Sequence, residues 1–323
     1  MITGKPYPMK GLITYGCNIF HTIPNVPRTK EALKNLDFHL VIDTLPQDHV
    51  AWADVVFPEA TYLERYDELW VCAHKTPYIA LREPAVEPYG ETKPAWWMVR
   101  ELGLRLGLDD FFKWKTGEEY LNERLKSIGL SVEKLREKGG ITIQQGKPYL
   151  ADFEKENSSP FATESSKIEL YSAALEKSKI DPLPKYEPTP DAPQGFLRLV
   201  YGRSPVHTFS RTQNTPALNE LMPENEVWVN VDLATELGLK NGDHVMLENQ
   251  DKARSGPVKV KATQRIRKDC VYMVHGFGHD APGMKRAHKR GASDAALQTK
   301  YKLDPISGGA GLRVNFVRLV KEG

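Results

Sequence analysis

Between Val227 and Glu248 the chain sets a strand, a helix, a turn and a second strand into one short span, and few folds admit that order. Val227, Val229 and Val231 alternate with Trp228 and Asn230, the two-residue period of a half-buried strand. Asp232–Gly238 reads as a short helix closed by glycine, and Lys240-Asn-Gly-Asp243 is a tight turn into the strand His244–Glu248. Val258, Val260 and Ala262 repeat the alternation with Lys259 and Lys261, and Cys270–Val274 is a short apolar run typical of a buried strand. Short strands with one small helix among them predict a closed β-barrel over 196–323.

The amino-terminal part has another rhythm. Lys10–Tyr15 reads as a strand ending in Gly16-Cys17-Asn18, Thr29–Leu36 as a helix and Phe38–Asp43 as a second strand. Strand, helix, strand is half of a nucleotide-binding α/β unit, in which ligands lie at the carboxyl ends of the strands. Asn18 and Asp43 occupy two such ends, where an amide and a carboxylate can bond a base or ribose; they equally suit a turn and a helix cap. Thr92 is placed to cap an amphipathic helix with Ala95, Met98, Val99, Leu102 and Leu106 on one face, and two further helices follow Thr116 and Ser131. Ser178–Gln194 holds five prolines and little to bury, so 178–195 is expected to link an α/β domain over 1–177 to the barrel.

Composition removes several classes of function. With 44 basic and 42 acidic residues the net charge is +2, which supplies no field for nucleic acid, and no apolar run reaches the length of a membrane span. Cys17, Cys72 and Cys270 lie far apart with no Cys-x-x-Cys pair, so no iron–sulfur cluster, zinc site or other metal ligand set is assigned. Met1–Pro6 has neither an apolar signal core nor twin arginines. The protein is therefore expected to be cytoplasmic, or to carry its address on sequence outside these residues.

One loop stands out. The strand Phe196–Tyr201 opens at Gly202-Arg203 into a polar run to Asn214. Arg203 and Arg211 can fork onto phosphate oxygens while Ser204, Thr208, Ser210 and Thr212 offer hydroxyls; the same run also reads as a solvated basic loop.

Two segments carry a family resemblance. Val227–Val245 resembles the module that binds molybdopterin dinucleotide in the dimethyl sulfoxide reductase family, and Gln47–Arg65, with its Ala53-Asp-Val-Val-Phe-Pro58 core, resembles a second segment of that family. The fold so implied is an α/β nucleotide-binding half followed by a mainly β barrel of double-psi type. The cofactor implied is molybdenum bis(molybdopterin guanine dinucleotide). By resemblance Asn18 and Asp43 hold a guanosine, and Arg65 lies near its phosphates. Gly202, Arg203, Ser204, His207, Thr208, Arg211 and Thr212 form the gripping loop. The turn His275-Gly276-Phe277-Gly278-His279 approaches the pterin, and Arg313 is a carboxy-terminal contact.

Glu64-Arg65-Tyr66-Asp67, Tyr201–Thr208 and Asp304–Gly311 resemble the polysulfide and thiosulfate reductase branch. The resemblance therefore implies two-electron chemistry on a small sulfur or arsenic oxo-substrate, with an iron–sulfur electron-transfer subunit and a membrane anchor subunit as partners. It also implies a place in the periplasm or on the outer face of the cytoplasmic membrane. No catalytic residue is assigned, because the molybdenum-ligating Cys or Ser and the cysteines of a [4Fe–4S] cluster are not among these residues and are expected in a missing amino-terminal part. The alternative is a protein that holds the dinucleotide without turnover.

Overall fold

The computed structural model describes residues 1–72, 77–143, 161–183 and 185–321. They form two compact units, one made of Met1–Phe57 with Thr189–Gly323 and the other of Pro58–Pro188.

The first unit begins with β1 (Gly11–Tyr15), α1 (Ile19–Thr22), α2 (Val26–Lys34) and β2 (Phe38–Asp43). β1 and β2 are parallel, with Gly11 opposite Phe38 and Tyr15 opposite Ile42, and β3 (Val55–Pro58) extends the sheet beside β2. Asn18 caps α1 by accepting from the Phe20 amide. α2 starts three residues before Thr29, because Asn25 adopts a left-handed φ of 61° and accepts from the Arg28 amide while Pro27 fits the first turn. Ile19, Phe20 and Leu33 bury the inner faces of these helices.

His49, whose ring is 6.4 Å from that of His39 in β2, is fully buried, and neither ring nitrogen is hydrogen-bonded among the described residues. Burial above all, then the neighbouring His39, holds its pKa down at about 4. The folded state thus favours the neutral ring, and its stability is lost as pH falls below the ordinary histidine value toward about 4. His49→Leu is therefore expected to be more stable than the parent by roughly 2 kcal/mol near pH 5, and by little near pH 8. Urea unfolding at the two pH values measures this; equal stability gains at both would contradict it.

The second unit contains β4 (Trp70–Cys72), β5 (Tyr78–Ala80), α3 (Ala95–Arg105), α4 (Gly117–Lys126), α5 (Val132–Glu137), β6 (Ile141–Ile143) and α6 (Ala173–Lys177). The three strands form an antiparallel sheet, and Ile79 packs with Leu121, Leu125, Val132 and Leu135. Thr116 and Ser131 cap α4 and α5 through the Glu119 and Lys134 amides. Thr92 does not cap α3. The cap is Pro94, which has no side-chain bond to give, and the Thr92 hydroxyl donates to the Tyr89 carbonyl. Val99 and Leu106 lie exposed, while Met98 and Gly103 face inward; the Phe112 ring fills the space where a Gly103 Cβ would stand.

The remainder of the first unit is β7 (Leu197–Gly202), α7 (Pro216–Leu221), β8 (Glu226–Asn230), α8 (Val231–Glu236), β9 (His244–Asn249), β10 (Arg254–Thr263), β11 (Cys270–Val274), β12 (Lys302–Leu303), β13 (Ala310–Gly311) and β14 (Phe316–Lys321). Six strands close into a barrel in the order β10-β8-β11-β7-β14-β9, with β8/β10 and β7/β11 parallel and the other pairs antiparallel. Alternate residues such as Val227, Val229, Val245, Leu247, Val258 and Val260 fill it. Val231 leaves the alternation to begin α8, because the Asn230 side chain accepts from the Asp232 amide and turns the chain.

The division into units crosses the boundary read from sequence. Its second edge falls inside 178–195, but residues 1–57 group with the barrel. The reason is a set of hydrogen bonds: the Asn25 amide donates to the Gln298 carbonyl, its side chain to the Thr299 carbonyl, and Asp48 accepts from the turn after β11.

Candidate cofactor-binding site

At the end of β7 the loop is shaped by its own polar groups. Ser204 Oγ accepts from the Val206 and His207 amides at 3.1 and 3.0 Å, and Thr212 Oγ1 accepts from the Thr208 amide at 2.9 Å. His207 is buried between Thr212 Oγ1 and the Met222 carbonyl, 2.8 Å from its Nε2, with its ring edge-on to Phe277. Two arginines remain outside that framework. The Arg203 guanidinium lies 3.8 Å over the centre of the Phe209 ring, and Phe209 holds a left-handed φ of 51°, a conformation uncommon for an aromatic residue. Arg211 reaches back to the Gly16 carbonyl and lies 3.9 Å from Asp43 Oδ1.

A cavity of about 320 Å³ opens beside this loop, lined by Tyr201, Gly202, Arg203, Phe209, His275 and His21 among others. His275 Nδ1 is 2.9 Å from the carboxylate of Asp294, which also accepts from Gln298 Nε2 at 2.8 Å. Burial alone would lower the His275 pKa, but the hydrogen bond and charge of Asp294 outweigh it and the opposing charge of Arg203, and the pKa is raised.

At the strand ends, Asp43 is buried. Its Oδ1 accepts from the Leu45 amide at 3.2 Å, whereas Oδ2 has no hydrogen-bond partner among the described residues. Burial first, then the Asp43 charge, pushes the Cys17 thiol up, so it stays protonated at neutral pH. Asn18 is engaged inside the protein: Oδ1 caps α1, and Nδ2 donates to Gln47 Oε1 and Asp48 Oδ2 at 3.1 and 2.8 Å.

Asp48 gathers more. Its Oδ2 also meets His279 Nδ1 at 2.7 Å and His21 Nε2 at 3.3 Å, and its Oδ1 accepts from the Asp280 and Ala281 amides at 2.6 and 2.9 Å. His21, Asp48 and His279 are residue types that bind cations, and their ligand atoms lie within 4.8 Å of one another. The carboxylate already has a donor at every lone pair, whereas His21 Nδ1 and His279 Nε2 are buried with no hydrogen-bond partner among the described residues.

The glycine turn after β11 departs from expectation. Gly276 and Gly278 have φ of 95° and 75°, and a Cβ on either would stand 2.1 Å from the Phe209 carbonyl oxygen or 2.5 Å from the Ser293 amide. The glycines thus admit neighbouring backbone of the protein itself, and the Phe277 ring is enclosed. Gly276→Ala is expected to lower stability by about 2–3 kcal/mol, through φ strain and a clash with backbone that cannot rotate away. A thermal midpoint within a degree or two of the parent would refute that packing.

Residues 197–316 match the molydopterin dinucleotide binding domain, and residues 3–105 match molybdopterin oxidoreductase. The chain belongs to the molybdopterin oxidoreductase family. It is 32% identical to the thiosulfate reductase molybdopterin-containing subunit PhsA of Salmonella typhimurium, over 95% of this chain and 43% of that protein. It is 27% identical to the dimethyl sulfoxide reductase DmsA of Escherichia coli, over 97% of this chain and 43% of that one. The solved structure of acetylene hydratase from Pelobacter acetylenicus superimposes with a TM-score of 0.79 at 25% identity, covering 99% of this chain and 45% of the hydratase. The chain thus spans less than half the length of these relatives.

Within this molybdopterin oxidoreductase chain the expected residues separate by what they touch. Gly202, Arg203 and His275 line one cavity, and Arg211 adjoins Asp43 at the strand ends. Ser204, His207, Thr208 and Thr212 shape the loop that carries the arginines. Arg65 belongs to the second unit, where it pairs with Glu59 and Asp67 and donates to the Ala60 carbonyl. Arg313 is exposed and its carbonyl accepts from Arg198. His21, Asp48, Asp294 and Gln298 were not singled out from sequence. Their sequence signal is polar character alone; what joins them is tertiary.

Proposed function

We propose that the first unit holds the dinucleotide tails and pterin of molybdenum bis(molybdopterin guanine dinucleotide), as part of a longer catalytic subunit that reduces polysulfide, thiosulfate or a related sulfur or arsenic oxo-substrate. The observation that carries this reading is that Arg203 and His275 both line one cavity. The donor set fits the group. The Arg203 guanidinium suits phosphate oxygens, the His275 ring offers a further polar group on the same cavity, and the buried Asp43 Oδ2, without a hydrogen-bond partner among the described residues, suits the N–H edge of a guanine. Arg211, beside Asp43, adds a second cation at the strand ends.

When bound, the cofactor supplies the two-electron redox chemistry. The chain's own part is to fix the tails with Asp43, Arg203 and Arg211, to present His275 to the cavity, and to keep the glycine turn rigid through Asp48. On this reading the molybdenum ligand and the [4Fe–4S] cysteines lie outside these residues, and the 323-residue chain alone does not turn over. An iron–sulfur electron-transfer subunit and a membrane anchor would pass electrons to it at the periplasmic side of the membrane. The resemblance to thiosulfate and dimethyl sulfoxide reductases supports the substrate class.

The test is to express the whole reading frame around this segment and follow oxidation of reduced viologen with thiosulfate, polysulfide, arsenate and dimethyl sulfoxide. Turnover with a sulfur or arsenic anion is expected. Bound cofactor without turnover on any of them would favour a protein that only holds the dinucleotide.

A further inference from the structure

We propose that Asp294 is a positioning residue that keeps His275 as an imidazolium on the cavity wall, so that His275 and Arg203 together receive a diphosphate group. The inference rests on the reading of the first unit as a cofactor holder, and it names the part of the cofactor this cavity takes.

Asp294 has no exposed side-chain surface. A buried carboxylate is tolerated where it is paired, and among the described residues the ionisable group in contact with it is His275. Its other partners, Gln298 Nε2 at 2.8 Å and the Gly276 amide at 3.4 Å, are neutral donors that fix the carboxylate's orientation. Both Asp294 oxygens lie within 3.0 Å of His275 Nδ1, so Nδ1 carries a proton and Nε2 is left for the cavity. With Nδ1 committed, Nε2 becomes a donor only when the ring is protonated.

The other groups around His275 bear on that state. Arg203, at the end of β7, opposes protonation by its charge. The Tyr201 ring is 6.1 Å away and the His21 ring of α1 is 6.3 Å away. Burial keeps His21 toward its neutral form, so it adds no second cation. The Asp294 charge also reaches Tyr201, Tyr272 and His21, and it raises the pKa of both tyrosines, after burial. An imidazolium and a guanidinium on one wall, with no carboxylate among the residues lining the cavity, form a receptor for a compact dianion.

The full chain is titrated with inorganic pyrophosphate by calorimetry near pH 6 and near pH 8, while the His275 ring is followed by proton–nitrogen NMR across the same range. As pH rises through the raised His275 pKa the imidazolium is lost, so binding is expected to weaken roughly ten-fold. His275→Gln supplies the baseline for pyrophosphate's own ionisation and should show none of that weakening. Asp294→Asn should move the His275 midpoint below that of the parent and remove the gain at low pH. Asp294→Glu, which keeps the carboxylate, should restore both and serves if the asparagine variant does not fold.

A parent His275 midpoint at or below that of an ordinary histidine overturns the inference. So does pyrophosphate affinity that follows the His275→Gln baseline. Either result leaves the cofactor reading intact, since Arg203, Arg211 and Asp43 do not depend on a charged His275. A chain that binds pyrophosphate with the expected pH dependence yet never takes up the dinucleotide would defeat the cofactor reading and leave the Asp294–His275 pair standing.

Discussion

Asp48→Ala is expected to lower the unfolding free energy of the first unit by about 3–5 kcal/mol, more than any other single substitution considered. The carboxylate is 6% exposed and joins Asn18 and His21 on the amino-terminal side to His279 and the amides of Asp280 and Ala281 on the other. Removing it leaves several buried donors without an acceptor, and each such group costs about 1–3 kcal/mol. The loss exceeds that of a surface ion pair because both histidine partners are almost wholly enclosed. Burial by itself would raise the Asp48 pKa, but the hydrogen bonds from His21 and His279 hold it far below the usual carboxylate range. A depressed carboxylate pKa gives stability that is present above the unfolded value and lost as pH falls. Asp48→Asn, which keeps one acceptor oxygen, should lose less than alanine. Urea denaturation followed by tryptophan fluorescence, with circular dichroism to establish folding, measures the difference. A loss below about 1 kcal/mol would mean that the cluster does not hold the α/β segment to the barrel turn.

The second large effect concerns ligand affinity. Arg203→Ala should weaken binding of the released molybdopterin guanine dinucleotide by about ten- to a hundred-fold, the worth of one charge-assisted hydrogen bond in a partly closed cavity. Folding should be little affected, because among the described residues the contact recorded for the Arg203 guanidinium is its stacking on Phe209. Asp43→Ala should weaken binding comparably through loss of the unpartnered Oδ2. Thr212→Ala removes the hydroxyl that accepts from the Thr208 amide and meets His207 Nδ1, so it alters loop shape and serves as a comparison. If Arg203→Ala and Thr212→Ala lose affinity equally, the loop acts through its conformation, and the arginine is not a direct contact.

The barrel was legible because its information is local. The valines of β8 and β10 alternate, Gly238 ends α8, and Lys240–Asp243 turns the chain, so the period and the punctuation agree within a few residues. The parallel pairing of β1 with β2 followed from the same kind of signal. The site was legible only where a motif sat in one stretch, as with Gly202–Thr212. The Asp48–His279 bond links positions 231 apart in sequence, and no local period reports it. Asp294, in Gly291-Ala-Ser-Asp294, reads as a turn residue until the fold sets it against His275. In the glycine turn positive φ was readable, but that Phe209 and Ser293 fill the missing Cβ space, from positions distant in sequence, was not. Thr92 failed as a cap because two residues separate it from the true first turn, where Pro94 already fixes the backbone.

The most direct test of the account is an equilibrium titration of the folded chain with released molybdopterin guanine dinucleotide, read by calorimetry and by native mass spectrometry. The account predicts saturable binding, a mass increase equal to whole dinucleotide, and affinity weakened by Arg203→Ala and by Asp43→Ala. A folded chain that shows no mass increase, or that binds the parent and both variants alike, would contradict it.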